Sequence, residues 1–321
     1  MAYSPDPAQA LAPSAMSERR TLISGNALGT SAMLFWAAGF PAAEVLLQNW
    51  PPLVVIVARL ALAMAVMIPL WIWLEGPTKV RNAPWRKAMF VGGFGFGFGT
   101  YFLLVAQDLT DPVTVALVAS CGPLVGALLE VHARTRRLTW SFCLGIGISI
   151  LGGIIATNAL APAQLGLGAA FAVAATVLFT WASMATVREF PNLGKVGQTT
   201  ITMTGALVMN SVLLIGSIAL GFAPSVANLP FNFELGGMLV IYAVISLCIS
   251  QAMYIGSIGK LGVAVASVHM NIAPFYVMVI MMVLGAAWNW SQAVGAVIVA
   301  LGVVLSQYKR SSKSRPAPLT E

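Results

Sequence analysis

PFYVMVIMMVLGAAWNWSQAVGAVIVALGVV, Pro274 to Val304, reads as an apolar segment, a short turn rich in Trp and Asn, and a second apolar segment. It has an echo 150 residues earlier. Trp290-Ser291 precedes Gly295 and Gly302, and Trp140-Ser141 precedes Gly145 and Gly152 at the same offset. Pro274 opens the later copy and Pro123 the earlier apolar run. Glycines seven residues apart share a helix face, where small residues let helices approach closely in lipid. A repeat this long is no solenoid unit and points to a duplicated half-protein.

The composition narrows the class. Of the 321 residues 59% are hydrophobic and 8% charged, with a mean hydropathy of +0.87. A soluble domain carries about 25% charged residues, so this chain cannot cover a water-facing surface and reads as an integral membrane protein. Its net charge of +7 fits basic loops on a membrane's cytoplasmic face better than a nucleic-acid partner. Cys121, Cys143 and Cys248 lie in apolar runs, with neither metal-ligand nor disulfide spacing.

Ten runs approach the roughly 20 apolar residues that a spanning helix needs. They are Leu22–Leu47, Pro52–Leu74, Ala88–Gln107, Val113–Val131, Ser141–Asn158, Gly166–Val187, Gly197–Gly221, Leu235–Ser257, Val263–Leu284 and Gln292–Tyr308. Residues 1–21 read as a disordered cytoplasmic tail and residues 309–321 as a basic one. With both ends inside, the inner loops hold Lys79, Arg81, Arg86 and Lys87, then Arg134, Arg136 and Arg137, then Arg188, Lys195 and Lys260. No Lys or Arg falls in an outer loop, the orientation bias expected at a bacterial inner membrane.

Five helices per half is an odd number, so the second half enters from the opposite side. The fold class is therefore all-α: ten transmembrane helices in two inverted five-helix repeats, residues 22–158 and 166–308. Phe35-Trp36-Ala37 in the first run and Thr180-Trp181-Ala182 in the sixth extend the match. Inverted repeats are a plan of secondary transporters, with the substrate near the bilayer middle between the halves.

Several residues together are recognisable: Trp36 followed by Phe40, Pro52 with Arg59, Pro123, Pro274, and the ending LGAAWNWSQAVGAVIVALGVVL. With them the chain resembles the drug/metabolite transporter superfamily, and within it the ten-helix EamA-type transporters, from Leu22 to Tyr308. The family's repeat ending has a Glu after Leu-Gly, where this chain has Ala286. The resemblance implies an exporter of amino acids, other metabolites or toxic organic cations, and among bacterial members an aromatic amino-acid exporter; a monomer is expected.

Arg59 is the most informative single residue. It lies about eight residues into its run, roughly 12 Å from the outer end. A charge at this depth should face a wet cavity or a partner: a substrate carboxylate on one reading, Glu44 on the other. Glu44 is also a possible proton site, but the apolar runs hold no chain of acids for a relay. His269, Met270 and Asn271 form a polar cluster before Pro274, either lining an opening or bonded to backbone. His132 reads as solvated.

Gly92 to Tyr101, GGFGFGFGTY, pairs glycines at helical spacing for close packing or for bending. Trp36, Tyr101, Trp181 and Tyr254 read either as a shared aromatic lining or as separate core and lipid-facing rings. Pro123 and Pro274 read as hinges or as static kinks.

The expected function is a secondary transporter exporting small metabolites by alternating access. Aromatic or other apolar amino acids are favoured as its substrates, with a passive channel or an exporter of organic cations as alternatives. The sequence holds no zinc-ligand motif, intramembrane catalytic set or nucleotide-binding motif, so neither enzyme chemistry, a cofactor nor direct ATP drive is expected. The expected partners are a small-molecule substrate and membrane lipid.

Overall fold

The computed structural model describes residues 15–132, 140–157, 163–221, 229–261, 266 and 269–307. Among these there is no strand. The helices are α1 (Ala15–Ala37), α2 (Gly39–Leu47), α3 (Pro52–Glu75), α4 (Pro77–Arg81) and α5 (Trp85–Phe90), which runs through a π-helical stretch, Val91–Gly97, into α6 (Phe98–Leu109). Next come α7 (Pro112–Ser120), α8 (Gly122–His132), α9 (Trp140–Thr157), α10 (Ala163–Glu189) and α11 (Lys195–Ala219). Then α12 (Phe233–Val240) passes through a second π-helical stretch, Ile241–Ile249, into α13 (Ser250–Leu261). A 3-10 turn, His269–Ile272, leads into α14 (Ala273–Val283), and α15 (Trp290–Gln307) follows.

Among the described residues six stretches are long and apolar enough to cross a membrane: Arg19–Leu47, Pro52–Glu75, Trp85–Leu109, Gly166–Glu189, Lys195–Ala219 and Phe233–Tyr254. Shorter apolar helices cover Pro112–Gly126, Cys143–Gly153, His269–Val283 and Trp290–Leu305. The chain is a multi-pass helical membrane protein. One boundary is corrected. The first helix begins at Ala15, so residues 15–21, assigned above to a disordered tail, are helical. Residues 1–14, the loop with Arg134, Arg136 and Arg137, residues 309–321, and the run ends at Asn158, Val263 and Tyr308 lie outside the described residues.

Both prolines mark helix breaks. α7 ends at Ser120 and α8 restarts at Gly122, with Pro123 in its first turn. The 3-10 turn ends at Ile272, and Pro274 sits in the first turn of α14. Proline lacks an N–H and clashes with the carbonyl four residues back, so a first turn is the helical place that tolerates it.

Helices pack antiparallel at small residues. In the α9–α15 pair the Ser141 hydroxyl donates to Leu305 O at 2.6 Å and that of Ser149 to Val299 O at 3.4 Å. A Cβ added at Gly152 would stand 2.8 Å from Gly295 O, and one at Gly302 2.6 Å from Gly145 O. The four glycines quoted above thus face one another across a single crossing. In α1–α13, Ser257 and Ser250 donate to the carbonyls of Gly25 and Ala32 at 2.9 and 3.0 Å. α10 lies along α6, with Gly99 against Leu178 and Phe179. α11 lies on α3 and on the first π stretch, and α14 lies on α7. Each of these pairings joins an element before residue 158 to one after residue 162. The largest core cluster gathers around α2, α3, α6 and the second π stretch, with Leu46, Val55, Ile56 and Leu104 fully enclosed.

Candidate functional site

α3 carries Arg59 into the interior, where it is 8% exposed. An intramembrane Arg is costly unless something receives its charge. Here the receiver is the second π stretch. Arg59 Nε donates to the backbone carbonyl of Tyr242 at 3.1 Å, and its guanidinium carbon lies 3.8 Å from the centroid of the Tyr242 ring. A π-helical turn reaches five residues along rather than four, which disturbs the regular ladder and is a feature of functional sites. The ring face adds a cation–π contact worth about 0.5–2 kcal/mol.

Among the described residues no carboxylate pairs with Arg59. The ion pair with Glu44 that the sequence allowed is not made. Glu44 Oε2 instead accepts from Gln107 Nε2 at 3.3 Å, and the same nitrogen donates to Phe40 O at 2.8 Å. Gln107 is buried and ties the C-terminal end of α6 to α2. Close by, the Ser246 hydroxyl donates to Trp36 O at 3.2 Å, and the Trp36 and Phe40 rings meet edge to face at 5.0 Å.

These groups enclose a cavity of about 20 Å³ lined by Trp36, Phe40, Arg59, Gln107, Tyr242 and Ser246, with Gly39 and Leu103. That is room for about one water, far below the roughly 300 Å³ of an occupied small-molecule site. The site is closed. Chemically it offers a cation without a carboxylate partner among the described residues, an amide, a hydroxyl and three aromatic rings.

The structure gathers only part of the expected set. Trp36 and Arg59 share the cavity. Trp181 stands elsewhere, its ring edge-on to Phe90 and Phe94 at 6.1 and 5.7 Å, and both of those phenylalanines are exposed on the outside of the bundle. Tyr101 lies half-buried beside Phe102 on the main core. Tyr254 is half-buried in α13. None of these three lines the cavity, so the shared aromatic lining is not formed: common depth in a membrane does not give helices a common facing.

His269 packs against Gly29 of α1, with Nδ1 3.1 Å from Ala266 O. Asn271 is 8% exposed, and neither its Oδ1 nor its Nδ2 has a partner. Pro123 and Pro274 are at the helix breaks described above. Gln107, Tyr242 and Ser246 escaped the sequence reading. Gln107 was its only available signal, a polar residue closing an otherwise apolar run.

Comparison with known proteins agrees with this architecture. Residues 23–158 match the EamA-like transporter family. Over 279 residues the chain is 26% identical to the "Uncharacterized transporter YyaM" of Bacillus subtilis (strain 168), covering 84% of this chain and 89% of that protein. A solved crystal structure has the same fold, with a TM-score of 0.64 at 21% identity, over 89% of this chain and 98% of that one.

Proposed function

We propose that this protein is a secondary transporter of the EamA type that exports small carboxylate-bearing metabolites by alternating access, with aromatic or other apolar amino acids as the favoured substrates. The observation that carries the reading is Arg59, a buried guanidinium without a carboxylate partner among the described residues, held on a tyrosine ring at a cavity edged by Trp36 and Phe40. A substrate carboxylate would complete that charge through charge-assisted bonds, and an aromatic or aliphatic side chain would lie against the rings. An organic cation would meet like charge at the same point, which disfavours the cation-export alternative.

The family match and the transporter-named relative support a transport role. The antiparallel pairings α1–α13, α6–α10 and α9–α15 are those that two inverted five-helix repeats would produce, with α1 equivalent to α10 and α6 to α13. On this reading the four shorter apolar helices complete ten crossings, both ends are cytoplasmic in a bacterial inner membrane, and the cavity, too small for an amino acid, belongs to a closed state that opens alternately to either side.

Transport into liposomes tests it, using a labelled aromatic amino acid and, as competitors, the unlabelled acid and its uncharged carboxamide. The wild type should prefer the acid, and Arg59→Ala should lower its transport roughly 10- to 100-fold, the worth of bonds to a charged group, while leaving the weak carboxamide competition unchanged. Equal loss of transport and of folded protein would return Arg59 to a purely structural role.

A further inference from the structure

A larger cavity lies at the other end of α3, apart from Arg59. Its volume is about 320 Å³, and it opens between the α3–α5 connection, with Thr78, Lys79 and Asn82, and the α10–α11 connection, with Glu189, Phe190 and Asn192. Both walls are fixed. Trp85 Nε1 donates to Val80 O at 3.0 Å, holding α4 in place, and Gln198 Nε2 donates to Phe190 O at 2.8 Å.

The donors facing this space are unspent. Among the described residues the side chains of Thr78, Asn82 and Asn192 make no hydrogen bond. The nearby carboxylates are already engaged. Glu189 accepts from Lys87 at 3.1 Å and from Arg188 at 3.0 Å. Glu75 accepts from the Gly194 backbone N–H at 3.2 Å and pairs with Lys79 at 3.6 Å. Arg81 and Arg86, on the same connection, have no carboxylate partner among the described residues. The balance left at this rim is positive.

Its depth is set by its neighbours. Trp73 is 80% exposed at the end of apolar α3, and Phe90 is 63% exposed where α5 enters the apolar run. An exposed Trp at the end of a spanning helix sits at headgroup level. A basic pocket between helices at that level suits a lipid phosphate.

We infer that this cavity is a binding site for the phosphodiester headgroup of an anionic phospholipid. The amides of Asn82 and Asn192 contact the phosphate together with Lys79, which is exposed and only loosely paired with Glu75 at 3.6 Å, and the acyl chains run down past Trp73 and Phe90.

The test is thermal unfolding of the purified full-length protein in mild detergent with added phosphatidylglycerol, phosphatidylcholine or inorganic phosphate, together with native mass spectrometry of retained lipid. Phosphatidylglycerol should raise the melting temperature by roughly 5 °C over phosphatidylcholine and be retained in preference to it. Asn82→Glu and Asn192→Glu place negative charge in the cavity at exposed positions and should each remove at least half of that shift. Equal effects of the two lipids, or a shift that survives both substitutions, would overturn the site. Protection by inorganic phosphate alone equal to that by phosphatidylglycerol would reassign the cavity to a free anion. Should either variant fail to fold, the wild-type lipid preference still decides. None of these readouts depends on transport, so the fate of the Arg59 reading is separate.

Discussion

The two π-helical stretches, Val91–Gly97 and Ile241–Ile249, begin at the same offset that separates Trp140 from Trp290. They share a backbone irregularity and put it to different uses. The first is VGGFGFG. At Gly92 an added Cβ would collide with the Thr202 carbonyl oxygen of α11, so the two backbones touch there. The second is IYAVISLCI. Its residue at the matching offset is Tyr242, whose ring and carbonyl hold Arg59 of α3 away from close backbone contact. One copy is sealed by the absence of a side chain, and the other is kept apart by two large ones. The difference teaches that one backbone irregularity serves two ends according to the side chains it carries: glycine admits the backbone of α11 at the first stretch, and Tyr242 receives Arg59 of α3 at the second.

The sealed copy can be broken directly. Gly92→Val forces a branched side chain into a backbone carbonyl that cannot yield like a flexible side chain. It should cost about 3 kcal/mol, the upper range for overpacking, and abolish the folded peak in size-exclusion chromatography. A normal peak would show that α11 can move away from the first π-helical stretch at this point.

The contrast extends to the proline breaks. Ser120, just before the first, is buried and donates to Leu117 O at 2.6 Å, whereas Asn271, just before the second, has no partner for either amide atom. Asn271→Leu removes two unsatisfied polar atoms at similar volume and should stabilise the protein by about 1–3 kcal/mol, read as a higher melting temperature. A fall would reveal that the amide is satisfied by ordered water.

The smallest effect sharpens the open copy. Tyr242→Phe keeps a ring under Arg59 and should leave substrate affinity within about twofold, while Tyr242→Ala removes the face contact and should weaken it by roughly 2- to 30-fold. If both variants behave alike, the backbone carbonyl of residue 242 alone positions Arg59.

The sequence made the helices legible because membrane spans are long apolar runs, and it made the α9–α15 crossing legible because glycine spacing is a direct statement about a helix face. Arg59 also stood out, as a charge in an apolar run. Its partner did not. Tyr242 is 183 residues away in the chain, and a tyrosine in an apolar run carries no local mark of the cation above it. The π stretches were hidden as well, although the glycines of the first were read as serving close packing or bending. A shift from four-residue to five-residue bonding leaves the apolar pattern intact. Trp181 was grouped with Trp36 on composition and depth, but its contacts with Phe90 and Phe94 depend on the rotation of α10, which an almost uniformly apolar helix does not encode.

The interleaving of early and late helices bears on how the molecule is made. When the ribosome has delivered residue 158, α1, α6 and α9 are in place, while α13, α10 and α15, against which they finally rest, have not been synthesised. Each early helix keeps its backbone bonds satisfied within itself, but the faces it finally rests against are absent until the later helices are made. A ribosome stalled before Trp290 would leave the Gly145 and Gly152 furrow of α9 facing lipid, and assembly ends when the last helix to emerge lies down in it.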